Sequence, residues 1–290
     1  NIYIDEVLLK KQIDELLNDI NMIFSTYHKN SELSIINNTF DKYYYLSDHL
    51  FQVLDKSLYY SSISNGYYDP TVFPLVNLWG FGHELKSNKP KREIISNVMK
   101  NIPYKFIVLD SNNHRMYKTN PNIHIDLNSI AKGYAIDILY NYLIELGHSD
   151  FMVEIGGELR CNGNNNNNNW VIGISNPISG IIYIKTLIND LSIATSGTYN
   201  NFTIYDNVEY SHIINPLTGY PISNNTLSCT IISNKCVDAD ALATMLMVLP
   251  YDEGIDIVNS LHGIECLIIT GDNKNINKHM SNNFDKYLTN

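Results

Sequence analysis

The stretch DADALATML, Asp238 to Leu246, sets two carboxylates and a threonine in an otherwise apolar run. On a helix, residues four apart share a face, so Asp240 and Thr244 would stand one above the other. A carboxylate and a hydroxyl meeting there suit a hard cation such as Mg²⁺, which takes oxygen ligands. The plainer reading is a narrow hydrated edge, because Ala241, Leu242, Ala243, Met245 and Leu246 leave little room for a polar face. Asp238 follows SNKC and precedes the apolar run, so it is expected to be the helix N-cap.

Five other stretches concentrate unusual residues. In NGYYDPTVFPLVNLWGFG (Asn65 to Gly82), Tyr67, Tyr68 and Asp69 offer stacking surfaces and a carboxylate to a heteroaromatic ligand, or simply close a packed loop. DLNSIAKGYAID (Asp126 to Asp137) passes from strand to helix, with Ser129 at the turn and Lys132 in the first turn. Free amides at a helix start plus a lysine make an anion site. VEIGGELR puts Gly156 and Gly157 where the backbone is expected to approach something closely, and IATSGTYNNF places Thr195, Ser196 and Gly197 after a strand. In YSHIINPLTGYP, His212 stands at a strand end beside Ser211, and it reads either as a hydrogen-bonded structural residue or as a general base.

The elements that must position these residues follow from periodicity. Residues 6 to 24 and 47 to 62 repeat apolar side chains at helical spacing, and Ile130 to Leu146 does so up to Gly147. KFIVLD and RMYKT, leading into IHIDL, read as short strands. From 151 to 233 the pattern turns β-rich, with FMVEI, ELRC, WVIGI, IIYIKTLI, FTIY, EYSHII and LSCTIIS parted by Gly, Asn, Pro and Ser. Two helices and the strand IECLIIT follow. The Asn run 164–169 is expected to be a solvated loop. The expectation is a single α+β domain over 1–290, with mixed, largely antiparallel sheets flanked by helices.

Composition sets the outer limits. The chain has 290 residues, 44% hydrophobic and 17% charged, an ordinary globular balance. A formal charge of −10 with no basic stripe argues against nucleic-acid binding, which needs clustered Lys and Arg. Cys161, Cys229, Cys236 and Cys266 show neither redox nor zinc spacing and read as small buried hydrophobes. No apolar run reaches the ~18 residues of a spanning helix, so a soluble chain is expected, one whose abrupt start leaves room for a removed signal segment.

Taken together, FSTYHKNSELSIIN (Phe24 to Asn37), YDPTVFPLVNLWGFG, IDLNSIAKGYAID, VEIGGEL, ATSGTYNNF, YSHIINPLTGYP and DADALATML resemble, in that order, the FAD:protein FMN transferases of the ApbE type. The resemblance implies an enzyme that cleaves FAD with Mg²⁺ and attaches the FMN half, through a phosphoester, to a threonine of a target flavoprotein, releasing AMP. It implies Mg²⁺ held by Asp240, Thr244 and the Ser129 carbonyl. Tyr27, Tyr67, Tyr68, Asp69, Asp126, Lys132 and Ile214 match positions that line the FAD site, and His212 matches a proposed base. An FAD pyrophosphatase, with water in place of the threonine, or a non-catalytic FAD-binding protein would share the same pocket. The family resemblance further implies an exported protein at the periplasmic face of the bacterial inner membrane, touching the membrane only through a lipid anchor outside this chain. Three departures stand out. The family's opening Met-Gly-Thr-type strand is not found, Asn215 stands where an Asp is usual, and the Asn run replaces a shorter turn.

Overall fold

A computed structural model describes residues 5–41, 43–82, 86–198, 201–272 and 274–289. Residues 1–4, where an opening strand would be sought, lie outside the described residues. Asp5 caps the first helix through Val7 and Leu8 N–H, so α1 spans Glu6–Phe24, and Ser31 caps α2, Glu32–Asn38. The chain continues through β1 (Tyr43–Tyr45), α3 (Asp48–Ile63, capped by Ser47), α4 (Phe73–Leu78), α5 (Arg92–Val98), β2 (Ile107–Asp110) and β3 (Arg115–Lys118). Next come α6 (Ala131–Glu145), β4 (Phe151–Ile155), β5 (Glu158–Asn162), β6 (Trp170–Ser175), β7 (Ile182–Ile188) and β8 (Ser192–Gly197). Short strands β9 (Phe202–Tyr205), β10 (Val208–Ser211), β11 (Ile214–Asn215) and β12 (Tyr220–Pro221) lead to β13 (Thr226–Ser233). The closing elements are α7 (Cys236–Val248), α8 (Tyr251–Ser260), β14 (Ile264–Gly271) and β15 (Ile276–Met280).

The centre of the architecture is an antiparallel sheet ordered β15-β14-β13-β8-β5-β4. Helices α6, α7 and α8 pack on one face, and the β6–β7 hairpin covers the other. β13 is therefore buried along nearly its whole length: Cys229 and Ile231 join the core under the helices, while Ile232 joins Leu159, Ile193, Leu267 and Phe284 on the hairpin side. A strand covered on both faces reads as a continuous apolar run, as LSCTIIS does. α7 is likewise apolar almost all round because it lies between the sheet and α6. The α+β reading with largely antiparallel sheets and flanking helices holds. Among the described residues no helix is long and apolar enough to cross a membrane.

Several local expectations are corrected. IHIDL is not a strand: the Asn37 side-chain amide donates to Ile125 O (2.8 Å) and accepts from Ile125 N (2.7 Å), so one side chain satisfies backbone that a neighbouring strand would otherwise pair. EYSHII is not continuous, since β10 ends at Ser211 and β11 starts at Ile214. Thr195, Ser196 and Gly197 lie within β8, not after it. Gly156 and Gly157 form the two-residue β4–β5 turn with φ of +64° and +105°, and a Cβ on Gly157 would meet nothing within 4 Å. Positive φ at both turn residues, not close approach, is the reason for glycine there. Helices α2, α4 and α5 and strands β1, β12 and β15 are short or terminal and carry no clear period. The Asn run is an exposed turn in which Asn166 and Asn167 take positive φ.

Asp238 is not the N-cap either. The cap position is Lys235, which makes no side-chain cap bond, and Asp238 in the first turn instead accepts from Lys56 Nζ and from Tyr60 OH (2.5 Å). The cap comes from another helix. Asp137 of α6 accepts from Cys236 N and Val237 N, both at 3.0 Å, and is itself bound by Arg160 of β5 at 2.6 Å. Burial pushes the Asp137 carboxyl above its ordinary value, with both amides and Arg160 opposing. The pair therefore adds little net stability, but removing one partner strands the other in the interior. Asp137→Ala is expected to cost about 3–5 kcal/mol, measured by urea unfolding; a loss below 1 kcal/mol would show that α7 does not depend on this cap.

Candidate active site at the α6–α7 junction

The starts of α6 and α7 meet at Gly133. A Cβ on that residue would lie 2.3 Å from Cys236 O and 2.8 Å from Asp240 Cβ, so only glycine allows the approach. The approach delivers Gly133 N to Asp240 Oδ2 at 2.9 Å, and among the described residues no hydrogen bond reaches the other oxygen, Oδ1. Asp240 is 3% exposed, and burial raises its pKa to about 7, opposed by Lys132 and the Gly133 amide and reinforced by Glu158. One helical turn on, Thr244 Oγ1 lies 3.2 Å from Ser196 Oγ of β8. Ser129 Oγ meets Tyr68 OH at 2.8 Å, which ties the turn before α6 to the loop after α3.

Lys132, in the first turn of α6, pairs with Glu158 Oε1 at 2.5 Å while its side chain remains 44% exposed. Partial burial works against its charge, but Asp240 and Glu158 outweigh that and hold its pKa above the ordinary value. The expected cradle of free helix-start amides is not present as such, because Ala131 N donates to Leu127 O and Gly133 N to Asp240. The positive element here is the Lys132 side chain. His212 sits in the break between β10 and β11, with Nδ1 2.9 Å from Asn201 O. A carbonyl only accepts, so Nδ1 carries the proton and Nε2 is the basic nitrogen. Burial lowers the His212 pKa, the Asn201 carbonyl opposes, and the Lys132 charge lowers it further.

The remaining sequence candidates divide. Asp126 shares an electrostatic field with Tyr68, and its backbone N donates to Pro70 O at 2.7 Å. Tyr67 is half-buried beside them. Tyr68 and Asp69 are not open stacking or charged surfaces: both are buried, and Asp69 accepts from Thr71 N, Thr71 Oγ1 and Tyr104 N. Its carboxylate holds the loop together. The Ile214 side chain is buried with Trp79, Leu75 and Ile95, leaving its backbone as the part able to meet a ligand. Tyr27 is exposed and lines a cleft of about 420 Å³ with Thr26, Phe73, Pro74 and His124, two residues from Asp126. Asn215 Oδ1 accepts from Leu217 N, a turn-closing bond that an aspartate would make equally well. Tyr199 and Asn200 of ATSGTYNNF lie outside the described residues. Sequence reasoning passed over Glu158 and Asp137; GGE and AID contain them, but nothing local marks a carboxylate as buried.

No three His, Cys, Asp or Glu side chains gather to hold a metal among the described residues. A cation here would rely on mixed oxygens. The buried carboxylate with a donor-free oxygen, the hydroxyl one turn later and the carbonyl of the neighbouring turn are the hard ligands Mg²⁺ takes, so the donor set fits that ion.

Comparison with known proteins gives the class. The solved structure of the flavin transferase ApbE from Vibrio cholerae matches with a TM-score of 0.90 at 34% identity, covering 98% of this chain and 92% of that one. The ApbE protein of Thermotoga maritima matches at 0.89 and 28% identity, covering 100% and 94%. In sequence, the FAD:protein FMN transferase of Vibrio cholerae is 35% identical over 98% of this chain and 86% of the relative, and that of Escherichia coli 31% over 97% and 82%. The fold is that of the flavin transferases. With residues 1–268 matching the ApbE family, the chain belongs to that family.

The raised pKa of Asp240 has a signed consequence. The folded chain binds this proton more tightly than the unfolded one, so the stabilisation is complete below the ordinary value of 3.8 and is lost as pH rises through about 7. Metal-free protein should therefore lose stability between those values, and Asp240→Asn should flatten the slope; parallel urea midpoints for the two proteins would contradict it.

Proposed function

We propose that this chain catalyses Mg²⁺-dependent transfer of the FMN moiety of FAD to a threonine hydroxyl of a target flavoprotein, forming a phosphoester and releasing AMP. The observation that carries the reading is the meeting, at one helix junction, of a buried carboxylate with a donor-free oxygen and a lysine whose charge reaches His212, a histidine with a basic Nε2. The names of the relatives support the flavin chemistry.

Asp240, Thr244 and the Ser129 carbonyl would hold Mg²⁺. When bound, the ion would neutralise charge developing on the pyrophosphate as AMP leaves. Lys132 adds a second positive point for phosphate oxygens. His212 Nε2 accepts the threonine hydroxyl proton, the threonine oxygen bonds to the phosphorus of the FMN half, and the bond from that phosphorus to the bridging oxygen breaks with AMP as leaving group. A lowered His212 pKa keeps the imidazole neutral and ready to act at neutral pH.

His212→Ala should slow single-turnover transfer by roughly 10²- to 10⁴-fold and leave FAD affinity nearly unchanged, since a base acts in the transition state. Mass spectrometry of the acceptor after incubation with FAD and Mg²⁺ reads the product. A threonine adduct supports the transferase, whereas free FMN with an unmodified acceptor would make it a pyrophosphatase. Asp240→Ala should abolish Mg²⁺-dependent transfer. Thr244→Ala, which removes a neutral ligand, should lose activity in part and regain it in excess Mg²⁺.

A further inference from the structure

Glu158 opens β5 directly after the Gly156-Gly157 turn, and its side chain is only 6% exposed. Oε1 binds Lys132 Nζ, but Oε2 is buried without a hydrogen-bond partner. The turn lies in ordinary contact with the pair, a Cβ on Gly156 falling 3.6 Å from Glu158 Oε2 and 3.8 Å from Lys132 Cδ. A buried carboxylate with half its acceptor capacity unused is costly for stability. The residue that follows Lys132 donates its amide to Asp240, so the lysine stem begins beside that carboxylate and the two charges interact. With no other anion in reach, the ammonium would pair with Asp240 and cover the oxygen a cation needs.

We propose that Glu158 is a positioning residue: it holds the Lys132 ammonium away from Asp240, keeping Asp240 open to a divalent cation and Lys132 aimed at phosphate. The inference rests on the reading of Asp240 and Thr244 as metal ligands. It accounts for a carboxylate that is poorly satisfied where it stands. Glu158 touches neither the reacting atoms nor the ion in this scheme, and acts through Lys132.

The test is a double-mutant cycle read by calorimetric titration of metal-free protein with MgCl₂. Glu158→Gln should weaken Mg²⁺ binding by roughly 10- to 100-fold, the scale of loss typical of changes outside the ligands themselves. Lys132→Met alone should not weaken it, and the double variant should recover most of the affinity that Glu158→Gln loses, a strong departure from additivity. Effects that simply add, or a Glu158→Gln variant with wild-type affinity, overturn the proposal. The metal-free melting temperature of Glu158→Gln should equal or exceed that of wild type, because an unpartnered buried charge is gone; a marked fall would make Glu158 a structural residue. Should Glu158→Gln not fold, Lys132→Met decides: unchanged Mg²⁺ affinity supports the proposal, and a gain beyond about tenfold overturns it, since the lysine would then already be pressing on Asp240. A wild-type chain that binds no Mg²⁺ overturns the metal reading and this inference with it, whereas binding that ignores Glu158 overturns this inference alone.

Discussion

The contact of Gly133 with the first turns of α7 is the constraint on which the site depends. Without a side chain at Gly133, the two helices approach until the backbone amide of one meets the carboxylate of the other. That approach orients Asp240, starts the Lys132 stem beside it, and brings Asp137 onto the open amides of α7. A methyl group at Gly133 would meet a backbone carbonyl, and backbone yields less readily than a side chain.

Three carboxylates share this small region, and each has a different fate. Asp137 is fully engaged, by two amides and Arg160, and serves the packing of α7. Asp240 holds one amide and keeps an oxygen without a donor. Glu158 holds Lys132 and leaves Oε2 unpartnered. Interiors normally satisfy such groups, so the unpartnered Glu158 Oε2 stands out at the place where chemistry is expected. Around them the sheet and its two covered faces supply the apolar burial that offsets the cost.

The loops before α6 are held by side chains in place of strands. Asn37 grips Ile125 from both sides, Asp69 gathers Thr71 and Tyr104, and Tyr68 reaches Ser129. His212 is fixed by the Asn201 carbonyl on one nitrogen, which determines the nitrogen left to act. Two candidate ligand residues, Tyr68 and Asp69, turn out to position their neighbours through buried hydrogen bonds.

Much of this was legible along the chain. Helical periodicity marks α1, α3 and α6, Gly147 ends α6, and alternation or short apolar runs mark most strands of the sheet, because these patterns follow from local geometry and burial. The i, i+4 spacing of Asp240 and Thr244 suggests a hard cation, and the motifs in their order resemble the family. What only the tertiary structure decided were relations between distant residues. Asp238 looks like an N-cap in sequence, yet the cap is Asp137, about a hundred residues earlier. Glu158 looks like any strand-opening glutamate until β5 is seen beside α6. Periodicity reports which face of an element is buried, but hydrogen bonds and charges act over a few ångströms in space. Partners separated by a whole sheet leave no local mark in the sequence.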